Sequence, residues 1–265
     1  MSSLLRYLKR TWNLEIKKTI AYPASFWLVV ITIPLYSVIQ IVFLETIYSQ
    51  TNNFAGYTKY EGYILFGTFT IVQTIGHFFF YNRLSELKGL IRGGAQESFD
   101  TALTKPIDAQ IFATIGRFNF GNIAPFIISI FIVLYGLRHE THLLSSLDIL
   151  SYVLVIIMGV SFFYLSLLFM STFLFWIPEL QMTEALWESF MSFGEYPSNL
   201  YHGAVGVIFN LVIPITLMAS IPVEFLLGRK PPYMLFTYLA IIILLFLLTR
   251  QFWNVAIKKY SSFSS

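Results

Sequence analysis

The sequence predicts an all-α integral membrane protein with six transmembrane helices, an N-terminal interfacial amphipathic helix and a short cytoplasmic helix in one loop. Apolar stretches of about twenty residues recur along the 265-residue chain, each long enough to cross roughly 30 Å of hydrocarbon as a helix. Hydrophobic residues make up 56% of the chain and charged residues 12%, as expected where a charge at the bilayer centre costs at least about 2.5–3.5 kcal/mol. Lysine and arginine, finally, cluster in alternate connecting segments.

The first element, residues 1–22, reads as an elbow lying in the headgroup layer. Leu4, Leu8 and Trp12 recur at a spacing of four with Leu5 and Ile16 beside them, and Arg6, Lys9, Arg10, Lys17 and Lys18 mostly take the other face. That is a basic amphipathic helix. Pro23 interrupts it, because proline lacks the N–H and disfavours helix just before it. Residues 23–265 then form one six-span domain. Its spans fall near Ser25–Thr46, Glu61–Tyr81, Thr114–Gly136, Ile149–Phe175, Ala204–Leu227 and Tyr233–Trp253. Pro34, Pro125, Pro214 and Pro222 lie inside them; such prolines are tolerated where neighbouring helices satisfy the freed carbonyls. The polar stretch Glu179–Glu195 reads as an interfacial helix linking the fourth and fifth spans, or as a contact for a cytoplasmic partner.

With the N-terminus inside, thirteen of the 17 lysines and arginines fall in inner segments. The outer segments hold only Lys59, Arg138, Arg229 and Lys230. The rule therefore places both termini in the cytoplasm. The first 20 residues alternate charge and apolar character, which is not the pattern of a cleavable signal.

Several function classes find no support. A net charge of +3 does not mark a nucleic-acid partner. Without cysteine there are no disulfides, cysteine zinc sites or thiol catalysis. The chain has no GxxxxGK[ST] phosphate loop, no HExxH and no GxSxG elbow. His139 and His142 sit three apart in an outer loop, a weak metal signature. His77 lies near the inner end of the second span, where a hydrogen bond to a neighbouring helix accounts for it. Glu45, Glu61 and Glu224 fall at the outer boundary, as interfacial carboxylates or a ring at an exit. Well inside the six expected spans, Gln40, Gln73 and Asn210 are the polar groups and no carboxylate appears. An ion-coupled secondary transporter would want one, so that reading and a non-transporting scaffold stand as alternatives.

The most informative polar segment is the cytoplasmic loop 82–113. Gly93-Gly94 breaks the helix descending from the second span. Ala95–Thr104 has helix-forming residues, with Phe99 and Leu103 four apart and Ala102 beside them, and Pro106 ends it. A short surface helix with a small apolar face, held between two spans, suits docking of a partner or lying on the membrane; periodicity leaves both open.

Ile91 through Ile107 (IRGGAQESFDTALTKPI) resembles the loop of type-2 ABC transporter permeases, whose pattern places an aspartate, a leucine and a basic-proline pair where Asp100, Leu103 and Lys105-Pro106 stand. Tyr196-Pro197 ahead of Pro214 and Pro222, and the ending Phe252–Ser262, are similar to later parts of the same family. The resemblance implies a membrane subunit without chemistry of its own. It needs no cofactor; ATP and magnesium belong to a partner ABC ATPase dimer. It implies a second permease, identical or related, and export of a lipophilic or amphipathic substrate across the plasma (inner) membrane. It also implies that the loop helix couples to the ATPase, with Phe99 and Leu103 as apolar anchors, Glu97 and Asp100 as polar rim, and Lys105-Pro106 closing it. Arg6, Lys9, Arg10, Trp12, Lys17 and Lys18 would grip the membrane interface.

Overall fold

The computed structural model describes residues 2–92, 99–140, 144–177 and 183–260, and these are all-helical apart from one isolated antiparallel bridge between Phe54 and Tyr57. Helix α1 (Ser2–Ala21) covers the first expected helical segment. α2 (Pro23–Gln50) begins with proline at its first position, where the missing N–H costs nothing. α3 (Lys59–Gly76) starts in a capping box: Thr58 Oγ1 accepts from the Glu61 amide, and Glu61 Oε2 accepts from the Thr58 amide at 2.8 Å. It runs on through a π-helical turn, His77–Tyr81, into α4 (Asn82–Ser85) and α5 (Leu87–Ile91).

The segment after α5 contributes α6 (Phe99–Thr104) and α7 (Ala109–Thr114). α8 (Ile123–His139) is followed by α9 (Ser146–Thr172), which starts from a second capping box, Ser145 with Asp148. α10 (Thr183–Met191) follows, extended by a 3-10 turn to Glu195. α11 (Gly203–Val207), α12 (Ser220–Leu226) and α13 (Met234–Ile257) complete the chain. Among the described residues five helical stretches are long and apolar enough to cross a membrane: 26–50, 59–91, 120–139, 146–175 and 234–257.

α3 and α8 make the closest helix pair of the bundle. A Cβ on Gly136 would stand 2.8 Å from the Tyr60 carbonyl oxygen, and one on Gly67 would stand 3.0 Å from that of Ser129. Small residues at these positions let the two backbones approach, the usual means of helix association where lipid removes the hydrophobic driving force. α9 lies beside them at the centre and carries much of the core, including Val155, Phe162, Phe163 and Leu168.

The expected span Ala204–Leu227 is a hairpin instead. α11 passes into a π-helical turn, Ile208–Val212. The chain reverses at Pro214, whose φ of −72° and ψ of 63° form an inverse γ-turn, with the Ile215 amide donating to the Ile213 carbonyl. A 3-10 turn, Ile215–Met218, then leads into α12. Thr216 ties the arms together by donating to the Phe209 carbonyl at 3.2 Å and to Asn210 Oδ1 at 3.0 Å. The returning arm is buried from Ile215 to Phe225 except at Glu224, whereas Gly203–Val205 on the entering arm are exposed. The physical reason for the difference from one helix is the proline: it cannot donate, and no neighbour replaces the missing rung, so the chain turns.

Both ends of the hairpin meet the outer loop. Ser198 Oγ donates to Glu224 at 3.0 Å, Tyr57 Oη donates to the same carboxylate, and Asn199 Nδ2 donates to the Ala55 carbonyl. The outer carboxylates are each paired: Glu45 with Lys59 at 2.8 Å, Glu61 with Arg229, and Glu224 with Lys230 at 3.1 Å.

The polar segment before the hairpin packs one face on the bundle and leaves Glu184, Ala185, Leu186, Glu188 and Ser189 exposed. Trp187 is buried against Phe163 (4.7 Å between ring centres), Tyr81 and His77. Tyr81 Oη donates to Glu188 at 2.5 Å. Eleven residues further on, Ser198 is at the outer loop. Glu179 lies outside the described residues.

Candidate coupling site

The loop that the sequence singled out is fastened on every side. Phe99, at the start of α6, is fully buried. Its ring stands 5.1 Å from Phe175, 6.1 Å from Trp253 and 5.0 Å from Tyr260. Edge-on aromatic packing of this kind adds about 0.5–1.5 kcal/mol per pair beyond area burial. Ala102 is buried beside it. The expectation that Phe99 presents its ring to a partner is therefore corrected: the ends of α9 and α13 already enclose it. Leu103 is the apolar side chain left outward, 47% exposed. Lys105 and Pro106 are exposed and Asp100 is half-buried. Glu97 and the glycine pair lie outside the described residues.

α7 is held by charge. Asp108 caps it, accepting from the Gln110 amide at 2.9 Å and the Ile111 amide at 3.3 Å. The same carboxylate accepts from Arg250 of α13 at 3.1 and 2.5 Å. Arg250 also donates to Gln110 Oε1 at 2.6 Å, and Gln110 Nε2 donates to Tyr164 Oη on α9 at 2.8 Å. The guanidinium holds the Asp108 carboxyl below its usual range, assisted by the two amides.

Phe112 is a second anchor, fully buried. Arg83 lies over its ring at 4.8 Å, with Nε donating to the Phe112 carbonyl at 3.2 Å, and Lys105 Nζ lies over the ring at 4.1 Å. The elbow closes the arrangement. Tyr7 stacks on Phe112 at 5.4 Å and donates to the Ile115 carbonyl at 2.9 Å. Arg117 bridges Glu86 at 2.9 Å and Glu15 of α1 at 3.1 Å. Trp12 sits among Phe78, Phe118 and Phe120 at 4.9–6.1 Å, so this interfacial tryptophan also docks on protein. Arg6, Lys9, Arg10, Lys17 and Lys18 are exposed along α1.

Sequence reasoning missed Asp108, Gln110, Arg250, Glu15 and Arg117 as parts of this site. Their partners are up to 142 residues away, beyond any local pattern; the aspartate one residue before a helix was the only available signal. The histidines contribute little here. His77 Nδ1 faces the Gln73 carbonyl of its own helix at 2.9 Å, His139 stacks on Tyr60 at 4.5 Å, and His142 lies outside the described residues.

Mechanically, α6 and α7 form a short rigid block bolted to α3's extension, α9, α13 and α1. Its fastenings reach four helices, and each is buried, ionic or both. Such a block joined to a bundle of long apolar helices defines a multi-pass membrane protein. The family model for "ABC-2 family transporter protein" matches residues 35–264, and the chain belongs to that family, whose members are membrane transport subunits and not themselves catalytic. No curated protein and no solved structure matches the chain.

Proposed function

We propose that this chain is the permease subunit of an ATP-driven exporter of lipophilic or amphipathic substrates, half of a translocation path completed by a second permease and driven by a cytoplasmic ABC ATPase dimer. The observation that carries the reading is the fastened block α6–α7, together with family membership. Closure of the ATPase dimer would press on Leu103 and its neighbours, and the spans would shift between two packed arrangements. In this reading Asp100, Lys105 and Pro106 frame the contact, Glu97 extends it, and Phe99 transmits load inward.

The proposal includes six crossings, with both termini in the cytoplasm of a cell whose inner membrane holds the complex. The fifth crossing is 183–200. What supports it is the path from Trp187, level with the inner part of α3, to Asn199 at the outer loop. The hairpin 203–226 enters and leaves by the outer face. The basic face of α1, with Arg6, Lys9, Arg10, Lys17 and Lys18, rests on anionic lipid.

The test is affinity purification of the tagged chain from its native membrane, with a photocrosslinker at Leu103. A stoichiometric ATPase carrying a phosphate loop, crosslinked at Leu103, is the expected result, and a second permease in the eluate decides between homodimer and heterodimer. A chain that purifies alone and captures no ATPase rejects the proposal in favour of a secondary transporter or scaffold.

A further inference from the structure

Glu195, like Glu188 with its Tyr81 partner, is held by neutral donors, unlike the carboxylates at the two boundaries. The Glu45, Glu61 and Glu224 carboxylates at the outer boundary each have a lysine or arginine. Glu15, Glu86 and Asp108 on the inner side do as well. Glu195 forms no ion pair among the described residues. Its partners are neutral donors on α2: Tyr36 Oη donates to its two oxygens at 3.0 and 3.1 Å, and Gln40 Nε2 donates at 2.5 Å. Gln40 also donates to Tyr36 Oη at 2.6 Å, so the three groups form one network.

Gln40 lies five residues before Glu45 on α2, about 7–8 Å along the helix from the boundary carboxylates, and Glu195 lies three residues before Ser198, which bonds Glu224 there. The network still sits beside the apolar stretch 26–50, where an unpaired charge is costly. Yet the surface around it is open: Tyr36 (44%), Phe43 (46%), Phe193 (45%) and Tyr196 (40%) are all exposed. Tyr36, Gln40 and Phe43 share one face of α2 by their spacing of four and three. A carboxylate held by neutral hydrogen-bond donors without a counter-charge among the described residues, with Phe43 and Tyr196 lining the same cleft, is the constellation that binds an organic cation.

We propose that Glu195, oriented by Tyr36 and Gln40, recognises the cationic head of an amphiphilic substrate, with Phe43, Phe193 and Tyr196 taking its apolar body. The inference rests on the exporter reading for its direction of travel, but the binding site stands on the network itself. The cation completes the pairing that each boundary carboxylate already has. The open aromatic face gives it a route from the membrane interior.

The test compares two ions of one shape and opposite charge, tetraphenylphosphonium and tetraphenylborate, binding to the full-length chain purified in detergent with whatever partners it retains. The wild-type chain is expected to bind the phosphonium at least about tenfold more tightly than the borate. Glu195→Gln should remove that preference, and Tyr36→Phe should weaken it while keeping its sign. Equal binding of the two ions by the wild-type chain overturns the site, as does an unchanged preference in Glu195→Gln. Should Glu195→Gln not fold, Gln40→Leu removes a donor from the same network, and an unchanged preference in that variant overturns the site equally. Competition by phosphatidylethanolamine would assign the ammonium to a lipid headgroup, and its absence would assign it to a free organic cation; both support the site. ATPase capture separates the two readings: a chain that captures the ATPase without a cation preference loses this site alone, and one that shows the preference without an ATPase loses only the exporter reading.

Discussion

Replacing Phe99 and Leu103 in parallel separates the fastening of the coupling block from its docking. Phe99 is fully enclosed by Phe175, Trp253 and Tyr260. Truncating such a ring to alanine costs about 3–5 kcal/mol. α6 spans six residues, too short to be helical unaided, so the cost falls on its attachment to α9 and α13. Three kcal/mol is a factor of about 100 in the attached population. Hydrogen exchange on the peptide containing residues 99–104 should accelerate by about that factor in Phe99→Ala. Leu103 is half exposed, and Leu103→Asp should cost under about 1 kcal/mol while abolishing ATPase capture. Protection in Phe99→Ala within threefold of the parent would refute the enclosed ring and the transmission argument built on it. A Leu103→Asp chain that still captures the ATPase would refute the outward anchor.

Three further outcomes follow from the same contacts. At Gly159 a Cβ would stand 2.5 Å from the Leu217 carbonyl oxygen, so Gly159→Ala should cost about 1–3 kcal/mol through overpacking, whereas Gly89→Ala, with open space around it, should leave the thermal midpoint level or higher. Arg229→Ala strips the buried Glu61 of its ion pair and should destabilise by about 1–3 kcal/mol, visible as a lower midpoint that Arg229→Lys partly restores. The Asp108 carboxyl is held below its usual range by Arg250, so its contribution is present above the unfolded pKa of about 3.9 and disappears as pH falls through the lower folded value. Stability lost from Asp108→Asn should therefore be constant from pH 5 to 8 and shrink only in more acidic buffer; a loss that varies across pH 5–8 would contradict the Asp108–Arg250 pairing.

How much of this was legible in the sequence depends on the range of the forces involved. The first helix and the long apolar helices follow from periodicity and length, which are local; most ends agree within a few residues, but the second stretch runs ten residues past Tyr81 and the third starts six after Thr114. The hairpin was not legible, because two ten-residue arms and one long span have the same hydropathy. The two prolines were visible, but whether Pro214 kinks or reverses the chain depends on neighbours such as Gly159. The segment at α10 was hidden by its carboxylates, which satisfied partners supply: Tyr81 for Glu188, and Tyr36 with Gln40 for Glu195. Phe99 and Leu103 share a helical face, and nothing within six residues says that one is walled in by the last helix. The loop itself was found, since a helix-forming segment between glycine and proline is a local signal, but its fastenings were not.

The hairpin also has a bearing on the evolution of the chain. Residues 203–226 begin and end beside the same outer loop, joined there by Ser198 and Glu224. A closed excursion of this kind adds nothing to the parity of crossings. Its length can grow, shrink or vanish without reversing the direction of α13 or moving the chain's end to the other side. The same change in α9 would invert everything after it. Arms of such a loop are free to diversify, while α6, α7 and the last helix keep the contacts that join them.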